Sequence, residues 1–418
     1  MLKKYDCLVI GAGASGMMAA IMAARSGKKI AVVDHKSEPG KKILQTGNGR
    51  CNYTNMNMQA GFYPEKVQNA VAKALERFGL EETLEFFRSV GIFPRQKNGY
   101  VYPYSETALS IRNALWDELK RLKVDIFTDT EVSELKKTSD FLMSLMRRSE
   151  DGKKVDISSE KLIIAAGSKA SPKSGSDGSG YEFLSRLGIR YSEAYPALVK
   201  LSSPDKENKK AAGVRHTSRI GLFIDGCETA SDTGEVQFAP DGISGIPVFQ
   251  ISRYVAPAIR EKRKVSAVLD LLPEFEIEKL IKDMTAAKVR MGDRSLVNFW
   301  GGLLPSKLVT AVAGKASVSP DRKVRDISAE KMTEFIEHMK NYRVEINGTN
   351  GFDSAQVCSG GVSLDDIEIS TMESRQVENV YLAGEIMDVD GPCGGYNLQW
   401  AWTSGAIAGM SVGEMDDL

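Results

Sequence analysis

The first 34 residues hold the glycines and acid best spaced to do chemistry. Gly11-Ala12-Gly13-Ala14-Ser15-Gly16 is a G-x-G-x-x-G turn, and Asp34 lies 23 positions after Gly11. Backbone without Cβ atoms can approach a pyrophosphate, and a helix N-terminus offers it unpaired N–H groups and a positive dipole end. An acid roughly 20 positions further on is placed to grip a ribose hydroxyl. The glycine motif alone is weak, so its context decides. Cys7-Leu8-Val9-Ile10 reads as a buried strand running into the turn. Met17, Ala20, Ile21 and Ala24 then share one helical face, and Gly27 stands just past its end, where a left-handed residue is wanted. Ile30-Ala31-Val32-Val33 is a second strand that delivers Asp34 at its carboxyl end. Strand, turn, helix, strand and acid together predict an adenine-dinucleotide site, whereas a structural glycine turn needs only the glycines.

Two further stretches have the composition of ligand loops. From Gly40 to Asn55 the chain is dense in glycine, asparagine and base, with Gly47-Asn48-Gly49-Arg50-Cys51-Asn52 at its centre. Such residues supply backbone N–H groups, amide donors and one fixed cation to a polar ligand. Near the far end, the apolar run Val380–Ala383 meets Gly384-Glu385, and Asp388, Asp390 and Gly391 lead to Gly394-Gly395-Tyr396-Asn397, where a helix Leu398–Met410 is expected. A second glycine-rich helix start can stabilise negative charge developing on a bound group. Cys51 and Cys393 fall in these loops, but without C-x-x-C spacing they read as packing or ligand contacts rather than a dithiol.

Elements must hold these loops. Residues 65–122 read as helices around a hairpin, with Asn98-Gly99 as the turn and Tyr100-Val101-Tyr102-Pro103-Tyr104 as an aromatic strand. The three tyrosines could line a flat cavity, with Tyr104 as the substrate candidate, or form a half-buried hairpin. Short strands at Val124–Phe127, Glu131–Lys136, Phe141–Met146, Val155–Ile157 and Leu162–Ala165 predict an antiparallel meander between parallel strands. Proline and turn signals over 195–270 predict a small β-barrel. Helical periodicity returns over 276–341, its methionines reading as core. The domain plan is thus a dinucleotide-binding domain over 1–192, a barrel over 193–272, a helical subdomain over 273–341 and a return to the first domain over 342–418. No second G-x-G-x-x-G occurs, so the sequence does not support a separate Rossmann domain for a nicotinamide.

Composition narrows the partners. Over 418 residues the formal net charge is zero, so bulk charge advertises neither nucleic acid nor an anionic membrane. The basic clusters Lys206–Lys210 and Arg260–Lys264 read as solvated surface, with attraction for an anionic substrate as the alternative. Five cysteines without disulfide-like spacing suggest a reducing cytoplasm, and three scattered histidines argue against a histidine-rich metal site. A strand starting by residue 6 leaves no room for a signal peptide, and the longest apolar helix is too short for a bilayer.

The segments GAGASGMMAA and GKKILQTGNGRCNYTN, with GGVSLDDIEISTMESR and LAGEIMDVDGPCGGYNLQWAWTSGAIAG, resemble the BaiN/YhiN family of bacterial FAD-dependent oxidoreductases over essentially the whole chain. The resemblance implies an α/β fold, a discontinuous glutathione-reductase-type FAD-binding Rossmann domain with an inserted β-barrel and a small helical subdomain. It implies FAD contacts from Gly11, Gly13, Ala14, Ser15, Gly16, Asp34, His35 and Lys42, and from Gly47 through Asn52. It extends them to the backbone near Val132 at the adenine, to Ala166 and Gly167 after the strand ending at Ala165, and to Gly384, Glu385, Asp388, Gly395, Tyr396, Asn397 and Leu398. It also places the loop Phe238–Pro247 near the active site. The implied reaction is reduction of a C=C bond conjugated to a carbonyl, with hydride from reduced FAD, Arg50 or a backbone N–H polarising the carbonyl, and Tyr396 supplying the proton. NADH or NADPH is the expected transient electron donor. Small-molecule enones of the 3-oxo-Δ4 bile acid or steroid type, uracil in ribosomal RNA, and amines for an oxidase are the three substrate classes to distinguish.

Overall fold

A computed structural model describes residues 2–147 and 154–414 of the chain. It separates into two compact units, Met1–Tyr195 with Gln356–Leu418, and Pro196–Ala355.

The first unit is built on a mixed sheet. Its parallel strands run in the order Val380–Leu382, Lys154–Ile164, Lys3–Ile10, Ile30–Val33, Asp125–Phe127. Cys7–Ile10, Ile30–Val33, Leu162–Ile164 and Val380–Leu382 are buried throughout, as strands covered on both faces must be. From Lys3–Ile10 the chain steps outward on one side through Ile30–Val33, then returns to the other side with Lys154–Ile164. Order therefore reverses at the first strand, and in open α/β sheets ligands bind outside the carboxyl ends at such a point. The meander Thr130–Lys137, Phe141–Arg147, Lys154–Ile164 is antiparallel. The expected strands Val155–Ile157 and Leu162–Ala165 are one continuous strand. Its first half pairs with Phe141–Met146 and its second with Val380–Leu382, while Lys3–Ile10 runs along the other side. That unbroken support carries the polar stretch Ser158–Lys161 through the sheet.

Two helices pack closely on this sheet. In the first, Ala14–Arg25, every residue from Ser15 to Ala24 is buried. The last helix, Tyr396–Gly413, is apolar on nearly all sides and lies against it. A Cβ on Gly405 would come within 2.4 Å of the Ser15 carbonyl oxygen, and one on Gly409 within 2.3 Å of that of Ala19. Small residues at this spacing let two backbones touch. A three-stranded sheet, Thr54–Asn55, Tyr100–Pro103, Pro94–Lys97, completes the unit's β structure near the last helix.

The second unit has a seven-stranded antiparallel sheet. Its order is Tyr342–Ile346, Val265–Asp270, Arg215–Ile224, Cys227–Ala239, Gly242–Ser244, Leu201–Ser202, Gly348–Thr349. The strands at the two ends are separated in sequence by Asn347 alone, so the sheet must curl round on itself, as a barrel does. Two parts of the expected domain plan change. The helices Ile277–Met291, Leu296–Trp300, Ser306–Lys315 and Ala329–Lys340 are not a separate subdomain. Trp300, Phe335, Met339 and Tyr342 belong to one apolar cluster with Ile220, Phe238 and Leu269 of the sheet, and the Leu271 amide donates to the Met339 carbonyl at 2.9 Å. The boundary expected at 341/342 lies instead at 355/356, because Tyr342–Ile346 pairs with Val265–Leu269.

Candidate functional site

The carboxyl ends of the parallel strands bring the first glycine turn and the last motif together. Gly11 has φ +102°, and a Cβ there would meet the Ala165 carbonyl oxygen at 2.4 Å. A Cβ on Gly16 would lie 1.9 Å from the Gly11 oxygen, so both glycines are fixed by backbone approach. Gly13 differs, because nothing lies within 4 Å of where its Cβ would be. The two outer glycines close the turn and the middle one faces open space. This is the division of roles a pyrophosphate cradle requires, and on this observation the turn fits FAD.

Asp34 is half-buried at the end of its strand. One carboxylate oxygen accepts from the Ala12 amide at 2.7 Å and the other from the Lys36 amide at 2.7 Å. Each oxygen keeps a lone pair for a ribose hydroxyl. The chain after Asp34 runs beside Thr130, whose amide donates to the Asp34 carbonyl at 3.0 Å, which brings Val132 to this end of the site. His35 lies 3.6 Å from Asp177. Burial pushes the Asp177 carboxyl up, but the Ser179 hydroxyl and amide and the His35 and Lys36 charges hold it below its ordinary range. Ala166 and Gly167 follow the strand Lys154–Ile164. The Gly167 φ of +73° and a would-be Cβ 2.8 Å from the Ser176 hydroxyl make that position another close backbone approach.

The loop joins both motifs. The Gly40 amide donates to the Ala12 carbonyl at 2.8 Å. The Lys42 ammonium meets Glu385 Oε2 at 2.6 Å, and Glu385 Oε1 accepts from the Cys358 amide at 2.9 Å. Gly384 has φ +78°, and a Cβ there would strike the Ser15 hydroxyl at 2.4 Å. Gly47, Asn48, Gly49 and Cys51 all have positive φ, a run of turns that leaves Gly47 through Arg50 exposed. Arg50 lies over the Tyr102 ring at 5.7 Å. Cys51 is fully buried, and burial pushes its thiol up to about 12. It is therefore a thiol and a packing group. The Asn52 side chain accepts from the Val101 amide at 3.1 Å.

The last helix begins at Tyr396, two residues before the expected Leu398, with Gly395 at φ +98° as its cap. A Cβ on Gly395 would meet the Thr54 carbonyl oxygen at 2.5 Å, and one on Gly394 the Tyr100 ring at 2.6 Å. Asn397 spends its amide on the loop before it, accepting from the Gly391 amide and donating to the Gly391 carbonyl, both at 2.8 Å. Asp388 accepts from the Gly360 amide at 2.8 Å and pairs with Lys66. Tyr396 is buried. Burial and the neighbouring Tyr100 raise its hydroxyl's pKa, so it holds its proton at neutral pH.

Tyr104 is not brought to this set. It is 69 % exposed beside Arg95, beyond the end of its strand, while Tyr100 and Tyr102 approach Gly394 and Gly47. Alternation would put all three tyrosines on one face, and it is the end of the strand at Pro103 that separates Tyr104 from Tyr100 and Tyr102. Gln399 was also legible as the one amide in the expected apolar helix Leu398–Met410. It is fully buried, accepts from the Thr54 hydroxyl at 2.6 Å, and its two amide hydrogens are shared among the Gly79 carbonyl at 3.0 Å, Thr83 at 2.8 Å and Thr403 at 3.0 Å. Beside the helix Gly180–Leu187, an open cleft of about 560 Å³ is lined by Tyr181, Ser185, Arg186 and Tyr191 among others, and by none of the candidates above.

Comparison with known proteins gives this arrangement a family. The chain is 40% identical over 97% of its length, and 98% of the relative's, to a 3-dehydro-bile acid delta(4,6)-reductase of Clostridium scindens. It is 31% identical to a ribosomal RNA dihydrouridine synthase of Escherichia coli, covering 96% of each chain. A solved 3-ketosteroid delta1-dehydrogenase from Sterolibacterium denitrificans shares the fold at 12% identity, with TM-score 0.52 and coverage of 99% of this chain and 100% of that one. A family model described as HI0933-like protein Rossmann domain matches residues 5–411. The chain belongs to the HI0933-like Rossmann-domain family, in agreement with the BaiN/YhiN resemblance of its loop and C-terminal motifs.

Proposed function

We propose that this chain is an FAD-dependent oxidoreductase that reduces a C=C bond conjugated to a carbonyl, with a 3-oxo-Δ4 bile acid or steroid-like enone as substrate. The observation that carries the reading is the meeting of Gly13, Glu385 and Gly395 motifs at one switch point, in a chain 40% identical to a bile acid reductase. Reduced FAD, when bound, supplies the hydride that the β-carbon of such an enone accepts.

The chain's own residues do the rest. The Gly11–Gly16 turn and Asp34 hold the adenosine diphosphate end. Lys42 fixes Glu385 toward the ribityl chain, and the glycine-capped start of the helix Tyr396–Gly413 stabilises anionic charge through its free amides. The Arg50 guanidinium, exposed on its loop, polarises the carbonyl. Tyr396 keeps its proton until the α-carbon needs it. With one dinucleotide fingerprint in the chain, NADH or NADPH is a transient visitor and not a resident.

The test is anaerobic. The purified flavoprotein is reduced, and its visible absorption is followed on adding a 3-oxo-Δ4 bile acid. Rapid reoxidation with formation of the saturated ketone is the expected result. Reoxidation by unmodified ribosomal RNA, with none by the enone, overturns it in favour of the activity named for the Escherichia coli relative. Anaerobic bleaching of the oxidised flavin by an amine, followed by rapid reoxidation and hydrogen peroxide release on admitting oxygen, would point to an oxidase.

A further inference from the structure

Phe62 is a large aromatic side chain left 45% exposed, and the turn carrying it is firmly held. The Phe62 amide donates to the Gln59 carbonyl at 3.3 Å, and that of Tyr63 to the Ala60 carbonyl at 2.9 Å. Gln68 donates to the Gly61 and Tyr63 carbonyls at 3.3 and 2.9 Å. Tyr63 is buried and donates its hydroxyl to the Tyr396 carbonyl at 2.8 Å. Three residues after Tyr63, Lys66 reaches Asp388. The segment from Ala60 to Lys66 is thus pinned to the loop that starts the last helix.

This anchoring places the Phe62 ring 5.1 Å from the Tyr396 ring, at an interplanar angle of 54°. The two tilted rings form an aromatic corner. What sets the Phe62 ring apart from other exposed apolar side chains is its position against Tyr396, where covering it with an apolar ligand would be favourable. The exposed Tyr104 differs, since Arg95 lies over its ring.

We propose that Phe62 is a specificity-determining residue that packs against the flat, fused apolar ring system of the substrate and seats it beside Tyr396. The proposal rests on the enone-reductase reading for the identity of that ring system. It predicts selection for polycyclic over monocyclic enones, because a fused ring system offers more apolar area to cover the Phe62 ring than a single small ring does.

The experiment uses the FAD-loaded enzyme and two readouts, calorimetric binding of a 3-oxo-Δ4 bile acid and steady-state turnover of that compound and of cyclohexenone. Phe62→Ala is expected to weaken bile acid binding and raise its KM by about ten-fold, with kcat nearly unchanged. Flavin content and cyclohexenone kinetics should match wild type, and Phe62→Leu should recover most of the loss. Equal bile acid binding by wild type and Phe62→Ala overturns the role of Phe62. Equal losses for both enones overturn it too, since that marks a general structural effect. Binding of the bile acid by wild type without turnover of either enone overturns the enone-reductase reading and leaves Phe62 to be judged by the calorimetry. Failure of wild type to bind the bile acid overturns the proposal.

Discussion

Gly13 and Gly16 belong to one motif, yet the structure assigns them different tasks. Because a Cβ on Gly16 would collide with the Gly11 carbonyl oxygen, Gly16→Ala should destabilise the apoprotein by about 3 kcal/mol, visible as a lower urea midpoint. Gly13 faces open space, so Gly13→Ala should stay within about 1 kcal/mol of wild type as apoprotein. FAD affinity should nevertheless fall by roughly ten-fold, since the new methyl group fills the pyrophosphate's approach. Equal flavin affinity in Gly13→Ala and wild type would remove the cradle reading. The cysteines allow a second check. Burial pushes Cys51 up to about 12, and burial with the Glu385 charge does the same for Cys358, whereas Cys227 is exposed. In native protein at pH 8, iodoacetamide should label Cys227 and spare Cys51 and Cys358, as read by peptide mass spectrometry. The dithiol reading of the loop cysteines would return if Cys51 reacted as fast as Cys227. Residue types told much of this in advance, because glycine spacing and an acid at a strand end are local signals. The choice of Tyr104 over Tyr100 and Tyr102 was not local. It depended on where the strand Tyr100–Pro103 ends and which loop packs against it.

Helices and strands set how firmly these residues are held. Arg25, at the end of the first helix, bonds Glu118 on the helix Ala108–Arg121 at 2.8 Å, and Arg121 of the same helix bonds Glu118 at 2.7 Å. The Arg121 hydrogen bond, with Arg25 behind it, outweighs burial and holds the Glu118 carboxyl below its ordinary value of 4.5. A lowered folded-state pKa means the contribution is complete above the unfolded value and is lost as pH falls through the folded one. Wild type should therefore lose stability over Glu118→Gln as pH drops below about 4.5, and near neutrality the variant should be weaker by roughly 1–2 kcal/mol. Thermal melts of both proteins at pH 7 and at a series of lower pH values below 4.5 measure the convergence, and a gap that stays constant down to acid unfolding would sink the assignment. Gln399 does similar work at the other end. Its side-chain amide ties Thr54, Gly79, Thr83 and Thr403 together inside the unit. Gln399→Leu strands those partners and should cost about 3 kcal/mol, with loss of FAD as the Thr54 strand loosens from Gly395. The last helix was readable from its glycines and apolar run. Its network was not, because hydrogen-bond partners over 300 residues away leave no periodic trace.

Every FAD candidate, from Gly11 to Leu398, falls within the first unit, although that unit is interrupted by residues 196–355. A composition shift near Tyr191 signals an inserted segment, and the expected return to the first domain at residue 342 comes earlier than Gln356, where the first unit resumes. Tyr342-Arg343-Val344-Glu345-Ile346 alternates buried and exposed as a clear strand, yet alternation cannot say which sheet a strand joins. Pairing with Val265–Leu269 commits it to the second unit. The same non-local contact explains why a barrel and a helical subdomain read as two pieces when they share one core. A consequence can be tested on the whole chain. The second unit is a continuous segment containing all seven of its sheet strands and its own apolar cluster. Where the first unit is cut, Ser192 and Gly361 exchange hydrogen bonds, the Ser192 amide reaching the Gly361 carbonyl at 2.8 Å. The flanking ends thus lie side by side, and a short Gly/Ser linker can replace residues 196–355. The fragment 196–355 should melt cooperatively with mixed helix and strand circular dichroism and bind no FAD. The linked remainder should fold and retain FAD, with its oxidised absorption spectrum intact. A fragment without a cooperative transition would show that its core depends on the rest of the chain. A well-folded remainder without FAD would move part of the cofactor site out of the residues assigned to it.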